Sequence, residues 1–172
     1  MKISINAGHT RSGAGYGASY KGFHESELTR EVARALRVKL RQKGHVVYDS
    51  TVEKASSQNA YLREVCDRVN ASGAELFISL HCNASLLHQG KGVECYTWQG
   101  KKNATASKIC ANMAKLGLKN RGIKDGSKLY VIKHTKPTAI LVELFFLDNY
   151  TDRKVYLEQG AAKIADAIAK SL

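Results

Sequence analysis

The chain has little that would stop it from folding compactly. Its 172 residues include one proline, and 44% are hydrophobic. That composition excludes extended disorder and low complexity, and no fixed-period repeat is visible. No apolar run approaches the ~20 residues of a membrane span, so no transmembrane segment is expected. Met1-Lys2-Ile3-Ser4-Ile5-Asn6 leads straight into strand-like sequence, without a separate apolar segment or a small-residue cleavage site. The N-terminus therefore reads as lacking a signal peptide, with synthesis in the cytoplasm. None of Cys66, Cys82, Cys95 and Cys110 forms a C-x-x-C pair, which points to reduced, mostly buried thiols rather than a disulfide framework. Acidic residues are scarce: 15 Asp and Glu against 27 Lys and Arg, a net charge of +12.

That charge implies a polyanionic partner: nucleic acid, an anionic membrane or an anionic cell wall. Part of the excess is local. Lys115, Lys119, Arg121, Lys124, Lys128, Lys133 and Lys136 share their stretch with one acid, Asp125. A solvated surface without a specific role is the plain reading of any single lysine. No helix-turn-helix, aromatic stacking motif or zinc-finger spacing accompanies the charge, so nucleic acid is not the expected partner.

Strand and helix patterns alternate. Residues 2–6 read as a strand and 8–24 as a long glycine-rich loop. Leu28, Val32, Leu36 and Leu40 recur every four residues, an amphipathic helix stopped by Gly44. Further strands are expected at 45–48, 76–80, 92–98, 129–132 and 138–142. Helices are expected at 58–71 and 103–118, with a last one capped by Thr151 or Asp152 and striped by Ala161, Ile164, Ile168 and Leu172. The fold class is α/β. One domain over 1–172 is expected, with a largely parallel or mixed twisted sheet of about six strands flanked by helices.

Three apolar runs stop at residues able to hold or serve a metal. Residues 2–6 lead to His9, 76–80 to His81, and 139–142 to Glu143. A lone histidine at a strand end is more often structural than functional. His81 at the end of a buried strand must be hydrogen-bonded or metal-bound. Glu143 interrupts an apolar run and needs a compensating partner, either a lysine or a cation. Glu25 lies three residues before Leu28 and shares the buried face of the first helical turn, where a carboxylate also needs a partner. Cys82 follows His81 directly and on a strand points the other way, so it is not counted as a ligand. Two imidazoles and two carboxylates are the content of a catalytic zinc site.

In Asn6-Ala7-Gly8-His9, Gly22-Phe23-His24-Glu25-Ser26, Ser79-Leu80-His81-Cys82-Asn83-Ala84-Ser85 and Val142-Glu143-Leu144-Phe145-Phe146-Leu147-Asp148-Asn149 the chain resembles the type 3 zinc-dependent N-acetylmuramoyl-L-alanine amidases. The likeness is greatest to catalytic domains of clostridial phage endolysins and related autolysins. It implies zinc held by His9, Glu25 and His81, Glu143 as the catalytic proton carrier, and a peptidoglycan substrate cut between the lactyl group and L-alanine. Asn83 could donate a hydrogen bond to that substrate. His24 has no ligand role in the pattern. Many members carry Asp where Asn6 stands and a different loop where Thr10-Arg11-Ser12-Gly13-Ala14-Gly15 follows the histidine. Neither change removes a ligand. The resemblance further implies a monomer that acts on the wall after release or export by another route, holin-dependent if phage-encoded, with anionic wall polymers as added partners. A catalytically inactive wall-binding or regulatory relative of the same fold is the alternative, though all four site residues are present.

Overall fold

The computed structural model describes residues 1–172 and places six strands in one mixed sheet. The strands are β1 (Lys2–Ala7), β2 (Val46–Asp49), β3 (Leu76–Asn83), β4 (Val93–Thr97), β5 (Asn120–Asp125) and β6 (Thr138–Phe146). Their spatial order is β2-β1-β3-β6-β4-β5. The first four run parallel to one another, and β4 lies antiparallel to β6 with β5 parallel to β4. The helices are α1 (Glu25–Gln42), α2 (Gln58–Ala71), α3 (Ala104–Ala114), α4 (Tyr130–His134) and α5 (Tyr150–Ala169). No helix is long and apolar enough to cross a membrane.

Side-chain alternation divides the sheet into two unlike faces. Ile3, Ile5, Leu76, Ile78, Leu80, Cys82, Ile140 and Val142 point to the face covered by α1, α3 and α5 and join one large apolar core. α1 buries Leu28, Val32, Leu36 and Leu40 there, with acids in its first turn and bases in its last, as the helix dipole favours. In α5, Ile164 and Ile168 are fully buried and Ala161 and Leu172 pack beside them, although Gly160 (φ 71°) interrupts the helix. The opposite face carries a smaller cluster under α2 and α4, with Phe77, Leu141, Val131 and Ile132. Next to it runs a buried polar row: Ser4, Asn6, Ser50 and Ser79. All four cysteines are free and buried.

Several sequence expectations need correction. Residues 129–132 form the start of α4, not a strand; the apolar run packs as one short helix against α2 and β6. The strand in that part of the chain is β5, which has one aliphatic residue, Ile123, and sits at the sheet edge. Asn149, rather than Thr151 or Asp152, caps α5, its side chain accepting from the Asp152 amide. His81 and Glu143 do not end their strands: β3 continues to Asn83 and β6 to Phe146.

Candidate metal centre

Four distant segments meet at the carboxyl ends of β1 and β3. β1 runs out at Ala7, and Gly8-His9 turns over the sheet edge. A Cβ at Gly8 would lie 2.5 Å from His81 Cε1, so only glycine lets the two segments approach this closely. His9 itself adopts φ 69°, a left-handed conformation that is strained for a side chain of its size. Its geometry is held from outside. Its amide donates to the Tyr61 hydroxyl at 2.7 Å, and its carbonyl accepts from buried Arg30 at 3.0 Å. Arg30 also binds the Ser26 and Val52 carbonyls and Glu53.

The structure brings His9, Glu25 and His81 together. His9 Nε2 is 3.1 Å from Glu25 Oε1, His81 Nδ1 is 3.2 Å from the same oxygen, and the two ring nitrogens are 3.2 Å apart. Each group is oriented by a second contact. His9 Nδ1 lies 2.9 Å from the Gly15 carbonyl, which can only accept, so the Nδ1 hydrogen is fixed there and Nε2 presents its lone pair. Ser79 Oγ donates to Asn6 Oδ1 at 3.0 Å, so it accepts from His81 Nε2 at 3.1 Å and leaves the Nδ1 lone pair inward. Glu25 accepts backbone hydrogen bonds from Cys82 on Oε1 and Ala18 on Oε2, each 2.9 Å. Gly17 closes the pocket; a Cβ there would be 2.7 Å from His9 Cγ and 2.9 Å from Glu25 Oε2.

Three lone-pair atoms thus face one another at 3.1–3.2 Å in a mostly buried site. Without a cation or a shared proton such convergence is unfavourable. A tetrahedral ion with bonds of about 2.0–2.1 Å sets its ligands about 3.3 Å apart, which matches this triangle. Burial alone would raise the Glu25 carboxyl, but in the metal-free protein a proton taken up on the His81 or His9 nitrogen that faces it outweighs burial and holds it far below the carboxylate range. Burial lowers His81 against the pull of Glu25; in His9 the Glu25 contact outweighs burial and raises it.

Glu143 lies next to this triangle, in register with His81 on β3 and with Glu94 on β4. Its Oε2 is buried and has no hydrogen-bond partner. Burial first, then the charges of Glu25 and Glu94, push its carboxyl well above the usual range. No lysine pairs with it. Asn83 sits apart from the triangle, its Nδ2 donating to Glu94 Oε1 at 2.9 Å. His24 bonds Ser19 at 2.9 Å and takes no part in the cluster. Cys82 points into the core on the other face.

Asn6, Gly15, Gly17, Arg30, Tyr61, Glu94 and the orienting role of Ser79 are absent from the sequence-based site. Ser79 left a signal, as the polar exception in an apolar strand. Glu94 left another, as an acid inside an alternating strand. Gly15 and Gly17 left none beyond the glycine-rich loop.

The chain is similar over almost its whole length to several known proteins. An uncharacterised Clostridium perfringens protein is 32% identical over 177 residues, covering 100% of this chain and 51% of its own length. LytC, an N-acetylmuramoyl-L-alanine amidase of Bacillus subtilis, is 29% identical over 95% of this chain and 34% of its own. The chain therefore spans about half or less of these curated relatives. The solved catalytic domain of the CD27L endolysin, which targets Clostridia difficile, superposes with a TM-score of 0.90 at 33% identity, covering 99% of this chain and 96% of that one. The family description N-acetylmuramoyl-L-alanine amidase matches residues 3–172, and with that match the chain belongs to this family.

Proposed function

We propose that residues 1–172 form a zinc amidase catalytic domain that hydrolyses the bond between the lactyl group of N-acetylmuramic acid and L-alanine in peptidoglycan. The observation that carries this reading is the triangle of lone pairs from His9, Glu25 and His81, with the unpartnered Glu143 Oε2 one strand away. His9 Nε2, Glu25 Oε1 and His81 Nδ1 would hold the ion. When bound, zinc supplies a water of pKa near 7 and polarises a carbonyl. The Gly15 and Ser79 contacts keep both imidazoles in the ligating tautomer. Glu143 Oε2 takes the proton of the attacking water and returns one to the departing alanine amine. Burial suits it to the second step, because a carboxyl raised in this way holds the proton it has taken, and a cation held beside it would favour the ionised form needed for the first. The products are a glycan with a free lactyl carboxylate and a released stem peptide.

The exposed lysines at 115, 119, 124, 128, 133 and 136 make no ion pairs and would attract anionic wall polymers. Wall binding should then weaken with salt; salt-insensitive binding would count against that role. The amidase reading is tested by metal analysis together with mass spectrometry of fragments released from purified peptidoglycan. One zinc per chain and new alanine amino termini are expected. A folded, zinc-loaded protein that binds walls and releases nothing would favour the non-catalytic alternative.

A further inference from the structure

An ion pair that the hydrolytic step does not use lies beside Glu143. Glu94 is 2% exposed and in register with Glu143. Both of its oxygens are engaged: Oε1 accepts from Asn83 Nδ2 at 2.9 Å and from the Tyr96 hydroxyl at 3.0 Å, and Oε2 accepts from Arg121 Nε at 2.6 Å. Arg121 is thus fixed through one edge of its guanidinium. Its Cζ lies over the Phe146 ring, 5.0 Å from the centroid. Phe146 cannot give way, because it is 3% exposed and packs so tightly on Gly90 that a Cβ there would lie 2.1 Å from Cε1. The guanidinium's outer edge is different. Nη1 and Nη2 donate to no protein group, and the side chain remains 31% exposed.

We propose that Arg121, held by Glu94 and Phe146, is the receptor for a carboxylate on the departing stem peptide. A guanidinium with its Nη edge free matches a carboxylate in bidentate fashion. The position fits an acidic residue close to the cut bond. Glu94 stands two strands from His81, about 10 Å at the usual strand spacing, and Arg121 reaches back from β5 to set its guanidinium at the Glu94 carboxylate. Extended peptide advances about 3.3–3.6 Å per residue, so the bound carboxylate lies two or three residues from the scissile amide. Glu94 is here a positioning residue, and its buried charge is the reason Arg121 cannot swing away into solvent. This inference rests on the amidase reading and specifies what that site recognises.

The test uses two muramoyl peptides that differ in one group: the second stem residue carries a free α-carboxylate in one and a carboxamide in the other. The wild-type chain should prefer the carboxylate by roughly 10- to 100-fold in kcat/KM, the range of a hydrogen bond to a charged partner, and mostly through KM. In Arg121→Gln, which can still donate to Glu94, the ratio between the two substrates should fall to near one. Arg121→Lys keeps the charge and loses the fork, and should retain only part of the preference. An unchanged ratio in Arg121→Gln would overturn the proposal, as would equal losses on both substrates or a wild-type enzyme without preference. If folded, zinc-loaded wild type cleaves neither peptide nor purified wall, the amidase reading itself fails and this inference falls with it.

Discussion

Glu143→Gln keeps the shape of the side chain and removes its ability to carry a proton. Two effects of opposite sign should follow. Proton transfer by a positioned carboxyl contributes about 10²–10⁴-fold to rate, so lysis should drop by that factor while zinc content holds. The zinc-free protein, by contrast, should become more stable. In the unfolded chain the carboxyl titrates near 4.5, and in the folded chain burial, then Glu25 and Glu94, raise it well above that. Below the unfolded value both states hold the proton and the group contributes no pH dependence. As pH rises past it, the unfolded chain loses the proton first, and the folded state loses stability until its own higher pKa is passed. One group can contribute at most about 1.4 kcal/mol per pH unit over that window. For a domain of this size that is roughly 3–6 °C of melting temperature per unit. The amide does not titrate. The melting temperature of Glu143→Gln minus that of wild type, both stripped with a chelator, should therefore grow upward from about pH 4.5. A difference that stays flat with pH would refute the burial argument, and wild-type lysis by the variant would refute the assigned role.

Three further outcomes follow from the ligand supports. Ser79→Ala removes the acceptor that fixes the His81 tautomer and orphans Asn6 Oδ1. Zinc affinity, read by chelator competition, should fall about 10- to 100-fold, with about 1–3 kcal/mol of stability lost. Gly17→Ala places a methyl 2.7 Å from His9 Cγ at φ +85°; about 1–3 kcal/mol of backbone strain is expected, with weaker zinc binding, and a variant matching wild type in both would refute the role of Gly17 in closing the pocket. In wild type, zinc at 100 times its dissociation constant should add about 2.7 kcal/mol of stability. His81→Ala should gain almost none of it, which paired melting curves with and without zinc would show.

The elements that could be read from sequence are those whose pattern and burial agree. Leu28, Val32, Leu36 and Leu40 announce α1 because the helix period coincides with the buried stripe. The apolar run at 138–142 announces β6 because a strand covered on both faces is apolar, although the strand continues past Glu143 to Phe146. β5 fails both conditions. Asn-Arg-Gly-Ile-Lys-Asp has little β-forming content, and the segment is a strand because β4 offers it an edge. α4 fails in the other direction: four apolar residues fit a strand or one helical turn equally, and packing against α2 decides between them.

The site was legible for a related reason. On β1, β3 and β4, and on β6 as far as its register shift after Glu143, one parity of residues feeds the large core, and Asn6, Ser79, His81, Glu143 and Glu94 all have the other parity. A polar residue of that parity stands out against apolar neighbours, which is how His81 and Glu143 showed themselves. Sequence spacing cannot show which of these groups touch. Asn6 and Ser79 are 73 residues apart, yet they fix the His81 tautomer through one hydroxyl. Gly15 and Gly17 act through a carbonyl and through missing atoms, neither of which leaves a side-chain signature. The candidate ligands of such a centre can therefore be named before folding is known. Their protonation and reach depend on registers between strands, and those exist only once the sheet is assembled.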